Sequence, residues 1–342
     1  MKFLKKLLCL ILIFSLSACS STSVKTYHTY TSYPIGYLLN RIGGNRINIT
    51  SIQNNANIQN ATVLSSYATI ANDTQCFYYI KGLEPYMDVY GDEIISSVGS
   101  EVDLSASSIY SFKRYTPVNV GGNITYIESN YYDGAAFDDI DSYTNDLYLW
   151  LNPIGMLSMA KQIYTYLSTN YAEQASYFKE NYDSLENDLI SLDASFQSLA
   201  SSLQKENKSI KFVSMTPSFG SWQKAYGIEV YPVCLSKYGA LPTDSQLEII
   251  KQRIIDDGVE YIAYEPNMSD EMNTLFTKLE SELKLKRVNL SNLSSLTVTQ
   301  QTDNKDYFTI MYENLAVLEN IATSSSDTTE ETTNGQNTAS WW

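Results

Sequence analysis

Few residues of this 342-residue chain have the types and spacing that catalysis requires. General acid–base or nucleophilic catalysis usually needs a histidine beside a nucleophile, and the chain has one histidine, His28, near its start. The sequence contains no HExxH or GxSxG motif and no glycine-rich phosphate loop. The close acids Asp138, Asp139 and Asp141 fall in a loop-like stretch and are typical of a solvated surface. These residue types argue against an enzyme.

The cysteines predict one covalent modification and no metal or redox centre. Lysines 2, 5 and 6 precede an apolar run, residues 7–16, which is too short to span a bilayer stably. Leu16-Ser17-Ala18-Cys19 then resembles the lipobox of bacterial lipoproteins, so residues 1–18 are predicted to be a signal peptide and Cys19 the lipidated residue. The alternatives are an ordinary secretory signal with an incidental cysteine, or a short membrane anchor. Cys76 and Cys234 lie in no CxxC or His-paired spacing and are expected to be buried thiols.

Composition narrows the class of partner. The chain is 44% hydrophobic, which excludes general disorder, and its formal charge is −15. Residues 1–18 contain three lysines and no acids, so the mature chain is more acidic still. A polyanion of this kind is a poor nucleic-acid binder but is compatible with cationic ligands. The 28 tyrosines suit pockets and half-buried surfaces, because tyrosine combines an apolar ring with a hydroxyl.

A long amphipathic helix is predicted midway along the chain, over Phe178–Leu203. Steps of three and four residues separate its apolar positions, and no proline or glycine interrupts it. At about 1.5 Å per residue the helix is roughly 38 Å long. We interpret it as a rigid beam between two domains, with a coiled coil or a helical bundle as the alternatives. The apolar positions are Phe178, Tyr182, Leu185, Leu189, Leu192, Phe196, Leu199 and Leu203.

Short strands alternate with helices on both sides of this beam, which predicts two α/β lobes, each with a parallel sheet flanked by helices. Ligands of such sheets bind outside the carboxyl ends of the strands, so a cleft is expected between the lobes. Residues 63–71 are predicted to be helical, and residues 118–146 loop-like. The predicted boundaries are a tether at 19–24, an N-terminal lobe at 25–170, the linking helix at 171–207, a C-terminal lobe at 208–321 and a disordered tail at 322–342.

Four stretches occur in order around the long helix: Thr31-Ser32-Tyr33-Pro34 with Ile42-Gly43-Gly44; Tyr148-Leu149-Trp150-Leu151-Asn152-Pro153; Phe212 to Gly227; and Pro242 to Val259 followed by Tyr261 to Glu265. Together they resemble the solute-binding lipoproteins of zinc and manganese ABC importers, in which the second stretch reads His-x-Trp-x-Asp-Pro. The resemblance implies two α/β lobes joined by a rigid helix, as the pattern of elements predicts. It also implies a divalent cation, Zn²⁺ or Mn²⁺, as the transported ligand.

The family's histidine ligands are replaced in this chain. The first three ligand positions fall on Gln59, Tyr148 and Thr216, and a family carboxylate falls near Leu241. The last acidic ligand falls near Ser269 or Asp270, and Glu265 is a possible additional donor. Neutral amide, phenol and hydroxyl groups bind transition metals weakly, so a zinc site of the usual kind is not expected.

The leading interpretation is a monomeric, lipid-anchored receptor on the extracytoplasmic face of the cell membrane, with an ABC permease and ATPase as partners. One alternative is a degenerate family member that binds a non-metal solute in a tyrosine-lined cleft. The other is an adhesin or surface-interaction lipoprotein.

Overall fold

The computed structural model describes residues 26–121 and 123–333 and contains two four-stranded parallel sheets, each flanked by helices. A long helix joins the two lobes, and a two-stranded antiparallel hairpin lies between their sequences. The predicted fold class is confirmed. Cys19, the predicted signal peptide and residues 334–342 lie outside the described residues. Among the helices of the described ranges, none has the length and apolar character needed to cross a bilayer.

The N-terminal sheet has the strand order β2-β1-β3-β4, and all neighbouring strands are parallel. Its first helix begins with Pro34 in the first turn and ends at a glycine, Gly44, whose φ of 53° is in the left-handed region. The elements are β1 Thr26–Tyr30, α1 Tyr33–Gly43, β2 Ile47–Ser51, α2 Tyr67–Asn72, β3 Cys76–Tyr79, α3 Met87–Ser97 and β4 Glu101–Asp103.

The middle of the chain crosses from one lobe to the other. The hairpin, β5 (Arg114–Val120) and β6 (Asn123–Ser129), leads through a loop to α4 (Pro153–Asn170) and then to the long helix α5 (Ala175–Glu206). Helix α4 is capped by Asn152, whose side chain accepts hydrogen bonds from two backbone amides of the first turn. All eight predicted apolar positions of α5 are buried, so the predicted helix is confirmed.

The C-terminal sheet has the order β10-β9-β7-β8 and is also entirely parallel. Two of its helices, α7 and α9, begin with a full capping box. The elements are β7 Lys211–Ser214, α6 Ser221–Tyr226, β8 Glu229–Pro232, α7 Asp244–Asp256, β9 Tyr261–Tyr264, α8 Asp270–Glu282, β10 Lys286–Asn289, α9 Val298–Thr302 and α10 Tyr307–Thr333.

One apolar core runs through both lobes and the long helix. It contains α1 and α4 residues of the first lobe, the buried face of α5, and Phe212, Phe219 and Trp222 of the second lobe. Burial of apolar surface in one continuous core stabilises the lobes as a single body. This packing favours a fixed arrangement of the lobes over a wide hinge motion.

Three predictions about local structure are wrong. The stretch 118–146 is not all loop, because residues 114–129 form a hairpin whose strands are rich in β-branched residues, which favour extended backbone. The helix predicted at 63–71 is shorter, Tyr67–Asn72, because Val63 pairs with Gln53 in an isolated bridge. The tail does not lose helical structure at 322, since α10 continues to Thr333.

Candidate functional site between the lobes

Side chains at the carboxyl ends of the sheets meet between the lobes. Gln59 follows β2 in the first lobe, whereas Thr216 follows β7 and Glu265 follows β9 in the second. Tyr148 lies just before α4. This edge of a parallel sheet is where ligands bind in open α/β folds. The structure therefore brings Gln59, Tyr148, Thr216 and Glu265 to the region that the resemblance indicates.

Gln59 and Tyr148 form the part of the site on the first lobe. The Gln59 side-chain amide donates to the Tyr148 hydroxyl at 2.8 Å, and both side chains are buried, with 7% and 1% of their surface exposed. Burial raises the pKa of the Tyr148 phenol well above its usual value, so the phenol is neutral at physiological pH. A neutral phenol hydrogen-bonded to an amide is a weak metal ligand.

Glu265 is the centre of the part on the second lobe. Its Oε1 atom accepts hydrogen bonds from the backbone amides of Met215 at 2.8 Å and Thr216 at 2.9 Å. Its Oε2 atom accepts from the Thr216 hydroxyl and from the Asn292 side-chain amide, the latter at 2.8 Å. The carboxyl group is fully buried, which raises its pKa, while these donors favour the ionised form. Both of its oxygens are already engaged by protein donors.

Two members of this network were missed from the sequence. Ser218 forms a hydrogen bond with the Thr216 hydroxyl, and its side chain also forms one with Tyr148 that lowers the pKa of the phenol. Ser218 therefore connects the two halves of the site. Asn292 follows β10, and its side-chain amide donates to Glu265. Its backbone carbonyl accepts a hydrogen bond from the Trp150 indole nitrogen at 2.8 Å. A polar residue shortly after the end of a parallel strand was the available signal for Asn292. We call Gln59, Tyr148, Thr216, Ser218, Glu265 and Asn292 the interlobe network.

Gly239 lies two residues before Leu241, the position near which the resemblance places a family carboxylate. Leu241 lies near the surface, whereas Gly239 packs directly against Gln59: a Cβ added at 239 lies 2.8 Å from the Gln59 Cβ. Gly239 has a φ of 73°, which L side chains rarely adopt. A larger residue at 239 would displace Gln59, and no carboxylate enters the network from this loop.

The other predicted site residues lie apart from the network in their described contacts. Ser269 is the N-cap of α8, and its hydroxyl accepts from the Met272 backbone amide at 3.2 Å. Asp270 is exposed in the first turn of α8, where a carboxylate complements the helix dipole. Both positions are explained by the start of a helix.

His28 is a core residue of β1. Its ring is fully buried, its Nδ1 lies 3.0 Å from the Tyr78 hydroxyl, and burial lowers its pKa to about 4. Across residues 26–121 and 123–333, three or more His, Cys, Asp or Glu side chains nowhere come together as metal ligands. The interlobe network contains one carboxylate, and that carboxylate is engaged by four protein donors. These residues do not fit a tetrahedral or octahedral transition-metal site.

Aromatic hydrogen bonds hold the lobes together beside the network. The Trp222 indole donates to the Leu151 carbonyl at 2.8 Å, and the Tyr307 hydroxyl donates to the Trp150 carbonyl at 2.7 Å. All four residues are buried. These bonds join segments that precede and follow α5 in the sequence, so they connect the two lobes beside the network.

Two adjoining cavities open next to the network, and we call them together the aromatic groove. The larger, about 410 Å³, has five aromatic side chains in its wall, including Tyr143, whose ring lies 6.1 Å from that of Tyr148. The smaller, about 300 Å³, shares Phe137, Ile140 and Leu235 with it. The aromatic wall consists of Phe112, Tyr131, Tyr132, Phe137 and Tyr143.

This geometry defines a two-lobed binding protein with a rigid linking helix. A model of the family described as zinc-uptake complex component A, periplasmic, matches residues 29–321. The chain therefore belongs to this family, whose members are solute-binding components of ABC transporters and not enzymes.

Curated relatives are longer than this chain. The zinc-binding protein AdcA of Streptococcus pyogenes serotype M6 is 26% identical over 242 residues, covering 67% of this chain and 45% of its own length. The zinc-binding lipoprotein AdcA of Streptococcus pneumoniae strain R6 is 25% identical over 174 residues, covering 51% of this chain and 33% of its own. The chain thus spans less than half the length of the curated relatives it matches.

Solved structures share the fold. The periplasmic zinc-binding protein TroA of Treponema pallidum aligns with a TM-score of 0.66 at 15% identity, covering 87% of this chain and 98% of that one. Zinc-bound AdcA of Streptococcus pneumoniae aligns with a TM-score of 0.63 at 18% identity, covering 87% and 57%. At these identities the likeness concerns the fold alone.

Proposed function

We propose that this protein is a lipid-anchored, extracytoplasmic receptor of an ABC importer whose cargo is a small organic solute rather than a transition metal. Family membership supports the importer role, and the lipobox ending at Cys19 supports the anchor. The single observation that carries the choice of cargo is the interlobe network, in which protein donors engage the one carboxylate and neutral groups occupy the expected histidine positions.

The aromatic groove is the proposed place for the solute. Ligand pockets of about 300–1,000 Å³, lined by apolar and aromatic side chains with a few polar groups, are typical of small-molecule sites. The larger cavity has this size, and its wall combines five aromatic side chains with an unusually large share of polar and charged ones. Tyr143, whose ring centre lies 6.1 Å from that of Tyr148, joins the wall of this cavity to the interlobe network, which supports a solute site beside the network.

The importer role is tested by isolating the full-length protein from membranes of its native cell. We expect it to partition into detergent with the membrane fraction and to copurify with an ABC permease after mild cross-linking. A Cys19→Ala variant should leave the membrane and lose the permease at native abundance. Recovery of the wild-type protein without any ABC permease would contradict the importer role.

The cargo is tested by thermal unfolding of the mature protein with a panel of organic solutes, since a ligand that binds the folded state alone raises the Tm. Phe137→Ala should abolish the shift, because Phe137 lines both cavities. Ile127→Ala is the matched control, since Ile127 is exposed on the β-hairpin away from the groove lining. A shift that survives Phe137→Ala would place the solute elsewhere.

A surface-interaction role is the second candidate, favoured by buried hydrogen bonds that connect the two lobes. A laminin-binding adhesin from Streptococcus agalactiae shares the fold, with a TM-score of 0.65 at 17% identity over 86% of this chain. A protein that failed to copurify with a permease but adhered to host-matrix proteins would support this role.

A further inference from the structure

The aromatic groove combines ring side chains with carboxylates that have no cationic partner. In the described residues, Asp138 and Asp139 lie on its rim without an ion pair, one beside each cavity. Two other rim acids are balanced: Asp133 lies 4.0 Å from Arg253, and Asp141 lies 3.7 Å from Lys237. The unpaired negative charge of the rim therefore belongs to Asp138 and Asp139. Lys113 is the positively charged residue in the lining of the larger cavity.

That lysine does not neutralise the rim acids directly. Its ammonium group donates to the Asn130 side-chain oxygen at 2.7 Å, and no ion pair joins it to an acid within the described part of the chain. Its positive charge reduces the field of the groove, but the lining of the two cavities still has more carboxylates than cations.

A third, buried carboxylate stands behind the aromatic wall. Asp146 is 5% exposed, and its Oδ1 accepts from the Tyr148 backbone amide at 3.0 Å. Its Oδ2 adjoins Gly220 next to the Tyr131 hydroxyl, and the backbone amides of Tyr148 and Ser221 favour the ionised form of the carboxylate. Burying an ionised carboxylate is costly unless hydrogen bonds, a positive charge or a proton compensate it. Burial raises the pKa of this carboxyl to about 7, and a cation on the other side of Tyr131 would favour its ionised form.

The wall itself is suited to positive charge. The electron-rich faces of Tyr and Phe rings attract ammonium groups, and clusters of such rings bind organic cations in other proteins. In this groove Phe112 and Tyr131 lie 5.1 Å apart, and Tyr132 stacks on Phe137 at 5.4 Å. The apolar ring surface would hold the body of a ligand while the rim acids meet its charge.

We propose that the aromatic groove binds an organic cation, a small solute with a primary or quaternary ammonium group. This inference rests on the proposed function, since it names the chemical class of the imported solute. It assigns charge recognition to Asp138 and Asp139 and contact with the ligand body to Phe137 and its aromatic neighbours. Inorganic metal ions are excluded from this class because the groove has no convergent set of metal ligands among its described residues.

The test compares ligands that have the same shape but differ in charge. Choline and its uncharged isostere 3,3-dimethylbutan-1-ol are titrated against the mature protein, with Tm and calorimetric affinity as readouts, and putrescine serves as a primary-amine probe. We expect choline or putrescine to bind roughly tenfold more tightly than the neutral alcohol, the size of a typical cation–π and carboxylate contribution. The preference should weaken as salt is added, because the rim acids are exposed.

Two conservative variants locate the effect. Asp138→Asn removes rim charge without changing shape, and Phe137→Leu removes the ring but keeps an apolar side chain. Each should lower the affinity for the cation severalfold, whereas Asp303→Asn, an exposed acid outside the groove, should not. All three changes are at partly or fully exposed positions and should leave the Tm of the free protein nearly unchanged.

If neither choline nor putrescine binds more tightly than the neutral alcohol, the inference is overturned, as it is by cation binding that survives both groove variants. Absence of binding by either ammonium probe, in a protein that a neutral solute stabilises, would also overturn it while leaving the proposed function intact. Failure of the proposed function itself is read separately, from copurification with a permease.

Discussion

The hydrogen bond between Gln59 and Tyr148 offers the sharpest test of the interlobe network. A Tyr148→Phe change keeps the ring packed against Trp150, 5.3 Å between ring centres, and removes only the hydroxyl. The Gln59 amide, 7% exposed, then loses its 2.8 Å acceptor and has little access to water. An unpaired buried donor costs about 1–3 kcal/mol, so we expect a loss of about 2 kcal/mol in the free energy of unfolding.

A double-mutant cycle separates this bond from general packing effects. Gln59→Leu alone should also destabilise, whereas the combined Gln59→Leu and Tyr148→Phe variant leaves no unpaired amide at this point. We therefore expect the double variant to be less destabilised than the sum of the singles, with a coupling of about 1 kcal/mol. The assay is urea unfolding at pH 7, followed by circular dichroism, with the midpoint and the m-value fitted for each variant.

Tyr67→Phe is the matched control. Tyr67 also donates from its hydroxyl, to Glu93 at 2.9 Å, but this pair is exposed to solvent, so its loss should destabilise the protein much less than Tyr148→Phe does. Single-variant effects at 59 and 148 that add within about 0.3 kcal/mol would refute the network, because independent residues show that behaviour.

Three further predictions concern buried polar groups. Burial raises the pKa of Asp146 from 3.8 to about 7, so the folded state binds more protons than the unfolded state between these pH values. The free energy of unfolding should therefore fall as the pH rises from about 4 to 7. In urea titrations Asp146→Asn should reduce this slope by roughly 1 kcal/mol per pH unit. Glu265→Gln should lower the free energy of unfolding by about 3 kcal/mol at pH 7, because the new amide group places a donor among four donors. The control Glu260→Gln breaks only the exposed 2.8 Å pair with Lys286 and should lower it by under about 1 kcal/mol in the same unfolding assay. Trp150→Phe should lower the Tm by several degrees in calorimetry, because it leaves the buried Asn292 carbonyl without its indole donor.

The elements of the fold were largely predictable because each has a strong local signal. The stripe from Phe178 to Leu203 has one helical period, and all of its apolar positions are buried. Thr243 and Gly258 mark the ends of α7 by capping and by a positive φ. The β-hairpin was missed because β5 and β6 pair only with each other, and their sequences lack a clean apolar–polar alternation, so their stability comes from cross-strand contacts that sequence periodicity does not report.

The site was predictable in position but not in arrangement. Resemblance placed Gln59, Tyr148 and Thr216 at the cleft, and the structure brings them into one network. It did not show that Glu265 is engaged by donors from two separate chain segments, because contacts between residues far apart in the sequence, such as Asn292 to Glu265, depend on how the elements of the lobe pack. Ser269 and Asp270 were predicted as site residues but lie outside the network, and the start of helix α8 explains both positions.

A zinc titration of the mature protein tests the central claim most directly, that side-chain hydrogen bonds occupy the place of a metal between the lobes. Competition against a chromophoric chelator at pH 7.5 should show no zinc binding tighter than micromolar for the wild-type protein. The combined Gln59→His, Tyr148→His and Thr216→His variant should bind zinc more tightly than the wild type, because three imidazoles beside Glu265 supply the ligand types that zinc prefers. One equivalent of nanomolar zinc in the wild-type protein, lost on Glu265→Gln, would contradict the account.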